Sequence, residues 1–120
     1  MLIPLSQLRE VEGQAIRALD AAFDRSYIHT APMWIERCKA DLAQLWRHGD
    51  LWAITEVQQG TQRVLHIVAM AGEYDPALMQ EMESWGKQVG CSKALFTGRK
   101  GWAKKVPDYK VKTITFEKEI

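Results

Sequence analysis

The run Arg63-Val64-Leu65-His66-Ile67-Val68-Ala69-Met70-Ala71 constrains the fold more than any other part of the chain. Side chains of a strand alternate between its two faces, and here both alternating sets are apolar apart from Arg63 and His66. A strand apolar on both sides is a central one, with other elements packed above and below it. Residues 51–57, Leu-Trp-Ala-Ile-Thr-Glu-Val, read as a second strand, and Gln58-Gln59-Gly60-Thr61 between them reads as a turn. The close spacing predicts an antiparallel hairpin.

Around this hairpin the periodicity turns helical. Residues 1–5 read as a short first strand ending near Pro4, with Ser6 as the cap of a helix. Leu8, Val11, Ala15, Leu19 and Ala22-Phe23 then recur at three- and four-residue steps, the stripe of an amphipathic helix. Thr30 with Pro32 marks a second helix start. Trp34, Cys38, Leu42 and Leu45-Trp46 place its apolar face, and Arg47, His48 and Gly49 its end. Asp75-Pro76 opens a third helix whose buried stripe is Leu78, Met82, Trp85 and Val89, stopped at Gly90. Residues 93–97 form another strand, and Gly98-Arg99-Lys100-Gly101-Trp102 is a turn opening a short helical piece. Residues 109–117 alternate as a last strand. The expectation is an α/β (α+β) fold: one domain over residues 1–120, with a mixed central sheet, an antiparallel hairpin, a crossover helix and helices on both faces.

Composition removes several classes of function. At 47% hydrophobic and 26% charged residues the chain can build a core and does not read as disordered. No apolar run approaches the ~20 residues of a membrane helix, and the first residues do not read as a signal peptide. Cys38 and Cys91 predict no disulfide framework, which suits a reducing cytoplasm or a particle assembled there. Five tryptophans, Trp34, Trp46, Trp52, Trp85 and Trp102, read mainly as core, with room for one docking surface.

This order of elements resembles the GNAT acyltransferase superfamily. The residues that carry the likeness are the apolar strand from Val64 running into the helix that ends at Val89-Gly90, and the strand Ala94-Leu95-Phe96-Thr97 with its short helical piece. The segment from Met82 to Trp102 also resembles small GNAT-like proteins of tailed bacteriophages and prophages. Its matching residues are Trp85, Gly90-Cys91 and Gly98-Arg99-Lys100-Gly101-Trp102. That likeness implies a non-catalytic structural or accessory protein, in a virion or its assembly, in contact with other phage structural proteins or with itself. The superfamily likeness implies instead an N-acyltransferase using acetyl-CoA.

Residue chemistry weighs on the second implication. A CoA pyrophosphate needs free backbone N–H groups at the start of the crossover helix. The corresponding segment, Ala71-Gly72-Glu73-Tyr74-Asp75-Pro76, has one glycine, two acids and a proline without a donor. If the chain is active, Ala71 and Gly72 would meet the donor and Arg99 or Lys100 would reach its phosphates. Otherwise no cofactor is expected. No catalytic residue is assigned: Tyr74 and Tyr109 miss the place of the family's tyrosine, and Glu56 and Glu73 read as solvated acids. His66 reads as a hydrogen-bonded, half-buried side chain. No metal site is expected, because His29, His48 and His66 share no ligand spacing with each other or with the cysteines.

Charge supplies the remaining signal. From Lys93 to Lys112 there are seven basic residues and one acid, a net +6, which leaves −5 for the rest of a chain of net charge +1. Arg99, Lys100, Trp102, Lys104 and Lys105 are the expected interaction residues. Nucleic acid is a third candidate partner through this basic end, and no membrane is expected.

Overall fold

The computed structural model describes residues 1–24, 26, 28–112 and 116–120. Its elements are α1 (Leu8–Leu19), α2 (Ala31–Lys39), β1 (Gln44–His48), β2 (Leu51–Gln59), β3 (Arg63–Ala71), α3 (Pro76–Gln88) and β4 (Lys93–Phe96), with a short 3₁₀ turn at Lys100–Lys104. The sheet order is β1-β2-β3-β4. The first two pairings are antiparallel and β3 pairs parallel with β4 through the α3 crossover. The doubly apolar strand is therefore one of the two central ones, as its sequence demanded.

One expected helix is instead a helix and a strand. The reading from Pro32 to Gly49 as a single helix is corrected: α2 ends at Lys39 and β1 follows. Asp41 adopts a left-handed φ of 61°. The Leu42 N–H then donates to the Arg37 carbonyl and the Asp41 N–H to the Cys38 carbonyl, which closes the helix end. Gly49, read as a helix stop, is half of a two-residue hairpin turn. With φ 62° it joins Asp50 between His48 and Leu51, which face each other across the ladder. Residues 1–5 do not form a full strand. Leu2 bridges Trp46, and the Ile3 N–H donates to the Leu45 carbonyl at 2.8 Å, so the segment runs along β1. The strand expected over 109–117 is absent at residues 109–112, 116 and 117, and residues 113–115 lie outside the described residues.

The sheet has two different faces. One carries Leu45, Trp52, Ile54, Val68 and Ala69 against Leu8, Ala15 and Leu19 of α1 and Trp34, Ile35 and Cys38 of α2. The other carries Trp46, Leu51, Ala53, Leu65, Ile67 and Met70 against Leu78, Met79 and Met82 of α3. Trp34, Trp46 and Trp52 are buried, which bears out the core reading for them, while Trp85 and Trp102 are half-buried. Val68 is an extra residue in β3: Ile54 faces Ala69 but Thr55 faces Ile67. Such a bulge bends its strand and raises its local twist. Both Val68 and Ala69 consequently point to the α1–α2 face.

Thr55 is the one buried polar residue among those described. Its hydroxyl accepts from Trp46 Nε1 at 2.8 Å and donates to Gln44 Oε1 at 2.9 Å. Thr55→Val keeps the shape and strands the indole N–H, which costs about 1–3 kcal/mol. Chemical denaturation should show that loss as a lower midpoint with an unchanged slope.

Candidate functional site

The parallel ladder joins Val64–Ile67 of β3 to Lys93–Phe96 of β4, and its last bond is the Thr97 N–H to the Ile67 carbonyl at 3.1 Å. Beyond it, β3 continues to Ala71 while the chain after Thr97 turns away at Gly98. The gap is a cleft of about 100 Å³ lined by Ala69, Met70, Thr97, Gly98, Arg99 and Trp102, with Ala21 and Ala22 at its rim. It is the volume of a few small heavy-atom groups, in a wall that is mostly apolar.

Polar side chains gather beside it on the α1–α2 face. His66 Nε2 lies 2.8 Å from Thr97 Oγ1, and His66 Nδ1 lies 3.2 Å from Glu56 Oε2. Gln58 Nε2 donates to the same Glu56 oxygen at 3.1 Å and lies 3.3 Å from His66 Nδ1. Arg37 of α2 stands 3.7 Å from the other Glu56 oxygen. A carboxylate only accepts, so Nδ1 is the ring nitrogen that donates to Glu56, and in the neutral ring this leaves Nε2 to accept from the threonine hydroxyl. The expectation for His66, hydrogen-bonded and half-buried, is met. Glu56 differs from its expectation: its side chain is 17% exposed and that of His66 19%, so the acid is held rather than solvated. No local pattern in the residues singles out Thr97. Register is the signal that finds the pair, since a turn at Gly60–Gln62 sets Glu56 directly opposite His66.

The segment 71–76 uses its groups internally. Gly72 has φ 116°, and a Cβ there would collide with the Asp50 carbonyl oxygen, so this glycine serves close packing against the β1–β2 turn. Asp75 caps α3 by accepting from the Ala77 N–H at 2.9 Å, and it pairs with His48 Nε2 at 2.9 Å. With Pro76 at the first helical position, little donor capacity is left there for an anion. The cleft is small and mostly apolar, and the start of α3 offers few free donors to an anion.

The expected interaction residues are also distributed unequally. Arg99 donates to the Ala21 carbonyl and to Asp24, tying the end of β4 to the turn after α1. Trp102 packs edge-on against Phe96 and Tyr74, and Lys105 lies 5.4 Å over its ring. Lys100 and Lys104 are exposed. Ala71 is half-buried beside the α1–α2 core. Among the described residues no group of three or more His, Cys, Asp or Glu is placed to hold a metal, and no helix is long and apolar enough to cross a membrane.

Burial decides the remaining nucleophiles and acids. Cys38 is enclosed by α2 and the sheet, and desolvation pushes its thiol up to about 12 against the smaller opposing pull of Arg37. Cys38 should resist a thiol reagent in the native protein and react on unfolding, leaving Cys91 as the thiol titrated natively. Tyr109 donates to Glu83 Oε2 at 2.6 Å, and burial, then that bond, push its phenol far up. Tyr74 is raised by burial and by the charges of Glu83, Asp108 and Asp75. A raised phenol favours the fold while neutral. This contribution is complete below about pH 10 and is lost as pH rises through the folded-state values. An alkaline absorbance titration should find both phenols ionising late, together with unfolding.

No family model matches the chain. No curated protein matches it either. Solved structures do. An aminoglycoside acetyltransferase from an uncultured soil metagenomic sample, in complex with sisomicin, superposes with a TM-score of 0.68 at 11% identity, over 100% of this chain and 94% of that one. The ribosomal-protein-alanine N-acetyltransferase of Brucella melitensis biovar Abortus 2308 gives 0.62 at 12% identity, over 100% and 95%. The glucosamine-6-phosphate N-acetyltransferase of Arabidopsis thaliana gives 0.59 at 11% identity, over 99% and 95%. The mixed four-strand sheet with its helices has the GNAT acetyltransferase fold.

Proposed function

We propose that the chain is an N-acyltransferase that takes its acyl group from a thioester donor of the acetyl-CoA kind, bound in the cleft between β3 and β4. The cleft carries this reading. A parallel pair that opens beyond Ile67 and Thr97 leaves the cleft-facing edge of β3 without a neighbouring strand. Backbone groups on such an edge need partners. An acyl carbonyl lying along residues 68–70 would take the place of the missing rung, and N–H groups there would stabilise the charge that grows on its oxygen. Small side chains at Ala21, Ala22, Ala69 and Gly98 leave room for a short acyl group. The solved acetyltransferases of the same fold support this chemistry by analogy.

The donor would be gripped differently from the family pattern. Asp75 and Pro76 close the start of α3, so the acyl end supplies most of the recognition, and exposed Lys100 beside the cleft is the cation able to meet phosphates. The alternative reading, a non-catalytic phage accessory protein docking through Arg99 and Trp102, gains less support. Both side chains line the cleft and are engaged within the chain.

Calorimetric titration with acetyl-CoA tests the proposal. Micromolar binding is expected. Ala21→Glu, at an exposed rim position, should weaken it about tenfold, or ~1.4 kcal/mol, with the fold intact. Silence up to millimolar donor, or binding indifferent to Ala21→Glu, would overturn the reading.

A further inference from the structure

Glu56 of β2, His66 of β3 and Thr97, just past the end of β4, meet in one line, carboxylate to imidazole to hydroxyl, beside the cleft. Two features distinguish this line from a chance surface contact. Glu56 and His66 are the polar interruptions of β2 and β3 on the face that otherwise packs α1 and α2, and each is more than four-fifths buried at its side chain. Glu56 is also braced from two further directions, by Gln58 along its own strand and by Arg37 from α2. The hydroxyl at the far end is on an exposed residue that lines the cleft. An acid on one ring nitrogen, a hydroxyl on the other, and a pocket lined by the residue that carries this hydroxyl are the parts of an activated nucleophile.

We infer that Thr97 is a nucleophile that carries the acyl group covalently, with His66 as its general base and Glu56 as the residue that positions His66. This deepens the acyltransferase reading and rests on it for the place of the donor. In the first step the Thr97 oxygen attacks the thioester carbonyl carbon as its proton passes to His66 Nε2. The C–S bond then breaks, its electron pair leaves on sulfur, and sulfur takes the proton from Nε2. The products are an acyl ester on Thr97, a free thiol and a neutral His66. In the second step an amine attacks the ester carbon and gives its proton to His66. The C–O bond breaks, and the Thr97 oxygen recovers that proton. No electrons are gained or lost overall, and no further reactant is required. Arg37, 3.7 Å from the other Glu56 oxygen, braces the carboxylate on the side away from His66.

The test uses two donors and no acceptor. p-Nitrophenyl acetate is an activated ester that needs no CoA site, and acetyl-CoA is the proposed physiological type. Wild-type protein should release a burst of one p-nitrophenolate per chain, and intact-mass and peptide mapping should place one acetyl group on Thr97 with either donor. Thr97→Val and His66→Gln should each slow this acylation at least ~100-fold, the usual scale of general-base assistance, and Thr97→Ser should keep it. Glu56→Gln should lower the rate and also move the His66 proton toward Nε2, read from the imidazole nitrogen shifts of histidine-labelled protein; a purely structural Glu56 would leave that tautomer alone. Acylation of Thr97 by the ester but not by acetyl-CoA keeps the relay and removes the CoA reading. Calorimetric binding of acetyl-CoA with no acyl-Thr97 from either donor overturns the relay and leaves direct transfer in the cleft. Equal acylation of wild type and Thr97→Val, on other side chains, also overturns it.

Discussion

The parallel ladder between β3 and β4 ends at Thr97 although β3 runs on to Ala71, and the site depends on that early stop. Two consequences follow from one geometry. The unpaired stretch of β3 becomes the floor of a cleft, and Thr97, just past the end of β4, becomes part of its wall. The Val68 bulge works in the same direction, because an extra residue sharpens the twist of β3 where the neighbouring strand departs. Arg99 holds the departing chain open by anchoring it to the Ala21 carbonyl and Asp24 on the opposite rim. That pair is half-exposed, so its share of stability is small, and its main effect is on where the turn after β4 sits.

The two faces of the sheet divide the work. On the α3 face the packing is continuous: Leu65, Ile67 and Met70 sit under Leu78, Met79 and Met82, and Gly86 lets the helix approach Leu65 closely. Trp46 and Thr55 settle the polar remainder of that layer between themselves. On the opposite face α1 and α2 cover β1, β2 and the bulged end of β3, and His66 and Thr97 lie toward β4 at the margin of that cover. Burial of Glu56 and His66 there holds their geometry while Thr97 stays exposed.

Much of this was legible in the residues. The doubly apolar strand, the hairpin, the Asp75-Pro76 helix start and the crossover to Lys93–Phe96 follow from local pattern and turn chemistry, which act over a few residues. The region from Ala40 to Asp50 reads as helix because Leu42 and Leu45-Trp46 continue the helical spacing of Trp34 and Cys38. What ends the helix is an aspartate in a left-handed conformation, a place where glycine is the usual signal. Gly49-Asp50 fits a hairpin turn as well as a helix stop, and only the pairing of Leu45 with Ile54 and Trp46 with Ala53 decides between them. The site was harder still. Glu56 facing His66 follows from the β2–β3 register alone, but Thr97 joins them through a crossover of more than twenty residues, and no local pattern encodes the alignment of parallel strands.

The polar line from Glu56 to Thr97 is also a matter of cost. A largely buried carboxylate and imidazole on an apolar sheet face are offset by their partners, yet an apolar pair of similar volume would often be as stable or more so. The same residues that interrupt the cover of α1 and α2 thus do little for the core that surrounds them. Trp46 and Thr55 make the contrast: their hydrogen bond is fully enclosed, serves two otherwise stranded groups, and ends at Gln44. The Glu56 line, once satisfied by Gln58 and Arg37, continues outward to a hydroxyl at a cleft. Local rules of core packing are broken here toward the cleft between β3 and β4, and departures of that kind are expected where a fold carries chemistry.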